Sequence, residues 1–198
     1  MPERTGPPGR RPRADAQRNR SHILDVAEGY FAEHGIAGSL DAIARRAGVG
    51  PGTLYRHFPN RDALLAALLE ARNAELVSRR DRIHDEAADA TEALERWLEA
   101  LGDWVAAFDG LPEPLRAALR EESSPLALTC EGFITTTDDF VRAARDEGGA
   151  RPGVRGRDVF LGVLAMAWVR GAAMADDQAP PALDALLRTG WAAPADEA

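Results

Sequence analysis

The chain has 198 residues, of which 45% are hydrophobic and 28% charged, a composition typical of a globular protein and not of a wholly disordered one. Its single cysteine, Cys130, excludes an intrachain disulfide framework and a cysteine-rich zinc site. The N-terminus is rich in Arg and Pro, and the longest apolar run, Val159 to Val169, has 11 residues. We therefore expect neither a secretory signal nor a membrane span, and a cytoplasmic protein.

The charge of the chain is unevenly distributed. The net charge is −8, and all 24 basic residues are arginine. Residues 1–62 contain 10 Arg against 7 Asp and Glu, a net charge of +3, whereas residues 63–198 contain 14 Arg against 25 acids, a net charge of −11. A polyanion would therefore be attracted to the first third of the chain and repelled by the rest.

The first residues predict an arm followed by a helix. Residues 1–16 combine Pro, Gly and Arg with almost nothing apolar, which predicts a disordered basic arm. Its arginines are either a solvated tail or additional contacts to phosphates or a minor groove. From about Arg20, apolar residues recur at helical spacing, and His34-Gly35 ends the helix because glycine adopts the left-handed conformation without strain.

Two short helices are predicted next, separated by a glycine turn. Ser39 can cap the first of them, and Gly48 ends it. Pro51 suits the first position of the second helix, where a backbone donor is not needed. The following Pro59 breaks the chain, and Asn60 is expected to cap the next helix.

The remainder of the chain is predicted as long helices joined by short breaks. The sequence contains no run with strand period and no internal repeat. An all-α fold of about nine helices is therefore expected, with a boundary near residues 60–75. The predicted helices after Asn60 are Arg61 to about Ala88, Asp89–Phe108, Pro112–Glu122, Pro125–Glu147, Gly153–Ala175 and Pro181–Ala192.

The most informative segment is Ser39–Phe58, with the sequence SLDAIARRAGVGPGTLYRHF. Small residues in its first helix let the second helix pack closely, and Val49 is expected to fill the angle between them. Leu54 and Phe58, four residues apart, are expected to face inward. This is the layout of a helix-turn-helix, whose second helix enters the major groove of DNA.

This segment and its flanks resemble the DNA-binding region of TetR/AcrR-type transcriptional regulators. The resemblance also includes Ile23–Gly35 and the run Arg61-Asp62-Ala63-Leu64, and its most specific part is GTLYRHF followed by Pro-Asn-Arg. The later residues match the family only in layout and length. The implied organisation is an arm at 1–16, a DNA-binding domain at 17–76 with its helix-turn-helix at 39–58, and a ligand-binding and dimerisation domain at 77–198.

The resemblance implies roles for individual residues of the motif. The family contacts DNA phosphates or sugars from the positions of Ser39, Thr53, Tyr55, His57 and Arg61, and Ser39 would also cap its helix. An arginine at the position of Arg61 would hold a phosphate through two donors.

Base edges are read in the family from more variable positions, occupied here by Pro51, Gly52 and Arg56. Arg56 is the candidate for a guanine contact. Since neither Pro51 nor Gly52 carries a side-chain donor or acceptor, indirect readout or contacts by Arg45 and Arg46 would contribute. The alternative interpretation is that these two arginines lie on a solvent-exposed face of their helix. No cofactor and no metal site is expected.

Aromatic and soft side chains are concentrated in the C-terminal two thirds of the chain. They form either a packed core or the walls of a largely apolar pocket for a small-molecule effector. The resemblance favours a pocket without identifying its walls. The candidate pocket residues are Trp97, Leu101, Trp104, Phe108, Thr129, Phe133, Met166 and Trp168.

The last two predicted helices, from Gly153 to Trp191, are expected to form a homodimer interface. Between Val159 and Val169 the sequence is apolar on nearly every side of a helix, which is unusual at the surface of a monomer. A dimer would also place two recognition helices about one DNA turn apart, to match a palindromic operator.

The sequence thus predicts a DNA-binding transcriptional regulator, a repressor that an effector releases from its double-stranded operator. In this mechanism, ligand binding favours a conformer in which the helix that begins at Arg61 moves the two DNA-binding regions out of register. A DNA-binding dimer without an effector is the first alternative, and a filled helical core would favour it. The second is a helical enzyme. No metal-ligand spacing, phosphate loop or nucleophile elbow supports it, and His57 has no patterned catalytic partner.

Overall fold

The structure, a computed structural model, describes residues 12–121, 123–171 and 179–194, without the side chains of residues 12–14, 71, 179 and 180. Within these residues it contains nine α-helices and a single isolated β-bridge between Ala150 and Ala192, which confirms the all-α fold class. None of the described helices combines the length and apolarity needed to cross a membrane. The helices are α1 (Pro12–His34), α2 (Leu40–Arg46), α3 (Pro51–His57), α4 (Arg61–Glu86), α5 (Ala90–Val105), α6 (Pro112–Ala118), α7 (Ala127–Asp146), α8 (Gly156–Arg170) and α9 (Ala179–Trp191).

Helix α1 begins earlier than predicted. Residues 12–16 are helical, so they do not belong to a disordered arm. Pro12 has a fixed φ that suits the start of a helix, and Asp15 places a carboxylate in the first turn, near the positive end of the helix dipole. Residues 1–11 lie outside the described residues, and their role stays a prediction.

The predicted helix ends in the first third of the chain agree with the structure. Ser39 and Asn60 each accept a hydrogen bond from the backbone amide three residues later, at 3.4 and 2.8 Å. Gly35 and Gly48 adopt positive φ angles of 68° and 65°. These ends depend on local side-chain chemistry and backbone freedom, which is why the residue types alone predicted them.

Helix α4 joins the two predicted domains. The predicted boundary between residues 76 and 77 lies inside this helix, which contacts both α1 and α5. The two parts of the chain are therefore connected by continuous helix.

The core of the C-terminal part has an aromatic centre between α5 and α7. The ring of Trp97 stacks on Phe140 with centroids 5.4 Å apart, and Trp104 meets the edge of Phe133 at 4.9 Å. The indole N–H of Trp97 donates to the hydroxyl of Thr137 at 2.9 Å, and that hydroxyl donates to the carbonyl of Phe133 at 2.7 Å. The buried polar atoms of Trp97 and Thr137 are thus paired.

Helices α7 and α8 approach each other closely at Gly156. A Cβ atom at this position would lie 2.3 Å from the backbone nitrogen of Asp138. The carboxylate of Asp138 accepts a hydrogen bond from the amide of Gly156, so α7 caps the first turn of α8. Helix α8 therefore begins at Gly156 rather than at the predicted Gly153, and residues 172–175 of the prediction lie outside the described residues.

Replacement of Gly156 by alanine is expected to destabilise the fold, because the new methyl group meets backbone that cannot rotate away. We expect a decrease of about 1–3 kcal/mol in the free energy of unfolding, measured by thermal or urea denaturation. Gly132→Ala in α7 is the matched control, since a Cβ there has no atom within 4 Å. Alanine favours a helix by up to about 1 kcal/mol, so this control should be neutral or stabilising. Equal destabilisation by both variants would contradict the close approach.

Candidate nucleic-acid interface

Helices α2 and α3 are fixed on α1 and α4 by a small apolar core. Ile43, Ala44 and Leu54 have no exposed surface, and Phe58 is also buried. Val49, in the turn between the helices, is partly buried and packs against the same core, as predicted. The short helices are therefore held by side-chain packing, since helices of seven residues are not stable alone.

The outward face of α3 is not covered by other helices. Tyr55 exposes 43% of its surface although it is large and aromatic. Pro51 and Gly52, at the start of the helix, have a small side chain or none, so that another molecule can approach the backbone closely. The exposed residues of α3 are Pro51, Gly52, Tyr55 and Arg56, and the half-buried predicted contacts are Thr53 and His57.

Arginines of the motif differ in their partners. Arg45 and Arg56 are exposed, and neither has an ion-pair partner among the residues that the structure describes. Arg46, next to Arg45, instead forms two hydrogen bonds with the carboxylate of Glu33 in α1, both at 2.7 Å. The two neighbouring arginines thus have different surroundings, a difference that the sequence alone did not predict.

The Arg46–Glu33 pair joins α2 to the last turn of α1. The hydrogen bond from Arg46 lowers the pKa of Glu33, and the same bond raises the pKa of Arg46. Because the pKa of Glu33 is lower in the folded protein, the pair is formed at neutral pH and breaks as the pH falls through that lowered value.

Arg61 has partners other than the predicted phosphate. One of its terminal nitrogens, Nη1, donates to the carbonyl oxygens of Ile36 and Gly38, the latter at 2.8 Å. Its guanidinium carbon lies 5.9 Å from the centre of the Phe31 ring. Arg61 is long enough to fold back from α4 to these carbonyls, which lie in the turn between α1 and α2. In this structure it fastens α4 to that turn.

The turn between α1 and α2 also contacts the loop between α5 and α6. The amide of Ile36 donates to the carbonyl of Asp109 at 3.0 Å, and the ring of Phe31 meets the edge of Phe108 at 6.3 Å. At Gly110, which has a φ of 82°, a Cβ atom would lie 3.1 Å from Ile36. This contact could not be predicted from the sequence, because nothing in either segment signals its partner. It is a second connection between the DNA-binding region and the rest of the chain, in addition to α4.

The candidate pocket residues do not share one cavity. Five of them are buried in the packed core, while Thr129 is half-buried and Trp168 is 59% exposed. Met166 lines a cavity of about 450 Å³ between α5, α8 and α9, and Trp168 lines a groove of about 300 Å³ between α6 and α8. The five core residues are Trp97, Leu101, Trp104, Phe108 and Phe133.

The single cysteine lies in the core rather than at the candidate interface. Cys130 is fully buried and lies 3.7 Å from the carbonyl of Leu115. Burial, with a smaller effect of Glu131, raises the pKa of its thiol to about 11, so it is protonated and not nucleophilic at neutral pH. The same residues contain no group of three or more side chains suited to a metal ion.

Two family models match the chain. Residues 23–68 match the model described as bacterial regulatory proteins of the TetR family, and residues 89–192 match the C-terminal domain of SbtR-like transcriptional regulators. The HTH-type transcriptional regulator UidR of Escherichia coli strain K12 is 39% identical over 56 residues. That match covers 28% of this chain and 29% of the length of UidR.

Solved structures extend the likeness to the whole fold. A TetR transcriptional regulator from Streptomyces coelicolor is 31% identical with a TM-score of 0.57, over 89% of this chain and 99% of that one. The regulator FadR from Bacillus subtilis, solved in complex with stearoyl-CoA, has a TM-score of 0.57 over 86% of this chain and 98% of that one. At 23% identity, FadR shows the shared fold alone. The exposed recognition helix, the two family models and the likeness over the full fold place this chain in the TetR family, and it is a TetR-family transcriptional regulator.

Proposed function

We propose that the protein binds a palindromic operator in double-stranded DNA as a homodimer and represses transcription until a small molecule releases it. The observation that carries this proposal is the outward face of α3, which is exposed and rigidly supported. The charge distribution agrees with it, because the first third of the chain is the only third with a net positive charge suited to DNA.

Contacts to DNA are proposed from three kinds of residue. Arg56 reads a base edge, because it is exposed, unpaired in the described residues and able to donate two hydrogen bonds to guanine. Tyr55, Thr53 and His57 contact the DNA backbone, and Ser39 donates its hydroxyl hydrogen to a phosphate while its oxygen caps α2. We propose that Arg61 supports this surface indirectly, through the turn between α1 and α2.

Selection of binding sites from random DNA tests the proposal. The wild-type protein is expected to select a palindrome. Arg56→Ala should lose discrimination at one position in each half-site, by about 1–3 kcal/mol, and keep the rest of the palindrome. A uniform decrease of affinity for all sequences would show that Arg56 contacts phosphate. Absence of salt-dependent binding to any duplex would contradict the function itself.

Arg45 and Arg46 form a matched pair for measuring phosphate contacts. Arg45 is free to contact a phosphate, whereas Arg46 is held by Glu33. Arg45→Ala should reduce the slope of log affinity against log salt concentration by about 0.9 for each phosphate that this arginine neutralises. Arg46→Ala should leave the slope nearly unchanged. Equal slopes for both variants would remove Arg45 from the interface.

Dimerisation is proposed through α8 and α9. In the single chain, α8 leaves Leu161 and Trp168 on one exposed side, and Leu186 of α9 is 67% exposed. Leu161, Ala165 and Trp168 follow each other at spacings of four and three, so they form one stripe along the helix. An exposed apolar stripe of this kind is typical of a protein interface, and a second copy of the chain provides the same stripe in return.

Replacement of Trp168 by glutamate should therefore give a monomer under conditions in which the wild type is a dimer. Sedimentation velocity measures the change, and circular dichroism checks that both proteins keep their helices. Leu128→Glu is the control, since Leu128 is 79% exposed on α7 and lies outside the proposed interface. If both variants remained dimeric, another surface would form the dimer.

The effector part of the proposal rests on space between helices. The aromatic residues predicted to line a pocket pack against one another, which would suit a regulator without an effector. The cavity between α5, α8 and α9 supports the effector reading instead, because its volume is in the range of small-molecule sites, roughly 300–1,000 Å³. FadR, solved with stearoyl-CoA, is a protein of the same fold that holds a ligand.

A further inference from the structure

The cavity between α5, α8 and α9 has an apolar floor and a charged rim. Its floor includes Trp191, which is 3% exposed, together with Met166 and Leu98. The face of a tryptophan ring attracts a cation, and the sulfur of methionine is soft and polarizable. The floor can therefore bind the apolar groups of an organic cation.

The rim contains four carboxylates but only two guanidinium groups. Both arginines are already paired. Arg170 of α8 donates to both carboxylate oxygens of Asp184 in α9, at 2.8 Å each, and Arg188 of α9 pairs with Glu95 of α5. These two ion pairs hold α9 against its neighbours and neutralise the positive charges of the rim.

Of the remaining two carboxylates, Asp103 and Glu99, only Glu99 has no ion-pair partner among the described residues. Asp103 pairs with Arg79 of α4 at 2.9 Å, a residue that does not line the cavity. The surrounding part of the chain, residues 63–198, has a net charge of −11. The lining of the cavity has two more carboxylates than guanidinium groups, and this excess favours a cation over an anion, while Arg82 and Arg96 lie near Glu99 in a neighbouring depression.

We propose that this cavity binds an amphipathic organic cation, with its charge close to Glu99 and its apolar groups on the floor around Trp191. The assignment rests on the proposed function, because it makes this cation the effector of the regulator. The site is separate from the proposed dimer interface. Val163, Met166 and Arg170 line the cavity from the side of α8 opposite to the stripe of Leu161, Ala165 and Trp168, since successive helix residues turn by about 100°.

The cavity ends beside the loop that contacts the DNA-binding region. Gly102 and Arg170 line it in the last turns of α5 and α8. The loop after α5 carries Asp109, whose carbonyl accepts the hydrogen bond from Ile36. The carboxylate of Asp109 also lies next to Gly171, where a Cβ atom would be 3.2 Å away. A ligand that separates the ends of α5 and α8 would therefore displace this loop and the turn before α2.

Calorimetric titration without DNA tests the site directly. The probes are tetraphenylphosphonium and tetraphenylborate, which have nearly the same shape and opposite charge. We expect the phosphonium to bind and the borate not to bind. Glu99→Gln should lower the affinity for the phosphonium about 3- to 5-fold, as expected for the loss of an exposed ion pair. Glu131→Gln, which removes the same charge from an exposed position of α7, should leave the affinity unchanged.

Equal binding of both probes, no binding of the phosphonium, or equal affinity of the two glutamine variants would overturn the site. The effector role is tested on the selected operator, where saturating phosphonium should lower the DNA affinity of the wild type at least about 5-fold. Bound phosphonium with no change in DNA affinity would overturn that role. Failure of the protein to bind any duplex would contradict the proposed function and would leave the calorimetric result on the cavity unaffected.

Discussion

The turn between α1 and α2 is the contact on which the position of the DNA-binding surface depends. Gly35 enters the left-handed conformation there, and the chain then directs the amide of Ile36 to the carbonyl of Asp109. Arg61 binds the carbonyls of the same turn from α4, above the ring of Phe31. The amide of Ile36 and the carbonyls of Ile36 and Gly38 thus have hydrogen-bond partners in two separate parts of the chain and do not need water as a partner. The position of the turn therefore depends on both the start of α4 and the loop after α5.

This arrangement gives the proposed regulator two mechanical connections between effector and DNA. Helix α4 runs unbroken across the predicted domain boundary, as the mechanism inferred from the sequence requires. The contact between Asp109 and Ile36 is shorter, because it bypasses α4 and reaches the turn before α2 directly. A coupling free energy of about 1–3 kcal/mol, typical of such regulators, is comparable to the net contribution of one or two hydrogen bonds at this contact.

Pairing of charges decides which arginines remain available to DNA. Arg46 and Arg61 were both candidates for contacts to DNA, yet Glu33 holds the guanidinium group of Arg46 and the carbonyls of Ile36 and Gly38 hold that of Arg61. Arg45 and Arg56 have no such partner among the described residues, so their guanidinium groups can pair with DNA without breaking an existing contact. In the C-terminal part the balance is reversed, since the arginines of the cavity rim are paired and a carboxylate, Glu99, is left over.

Residue types and their spacing were sufficient to predict the helix-turn-helix. They predicted its caps at Ser39 and Asn60, its glycine turn at Gly48 and the inward positions of Leu54 and Phe58. These features arise within a few residues, so spacing and residue type predict them. The partners of Arg46 and Arg61, the cap of α8 by Asp138 and the cavity at Glu99 join residues far apart in the chain. Only the packing of whole helices brings such residues together. For the same reason, the sequence predicted that the aromatic residues belong to one helical bundle. Whether their side chains fill a core or line a pocket was decided by the packing of the helices.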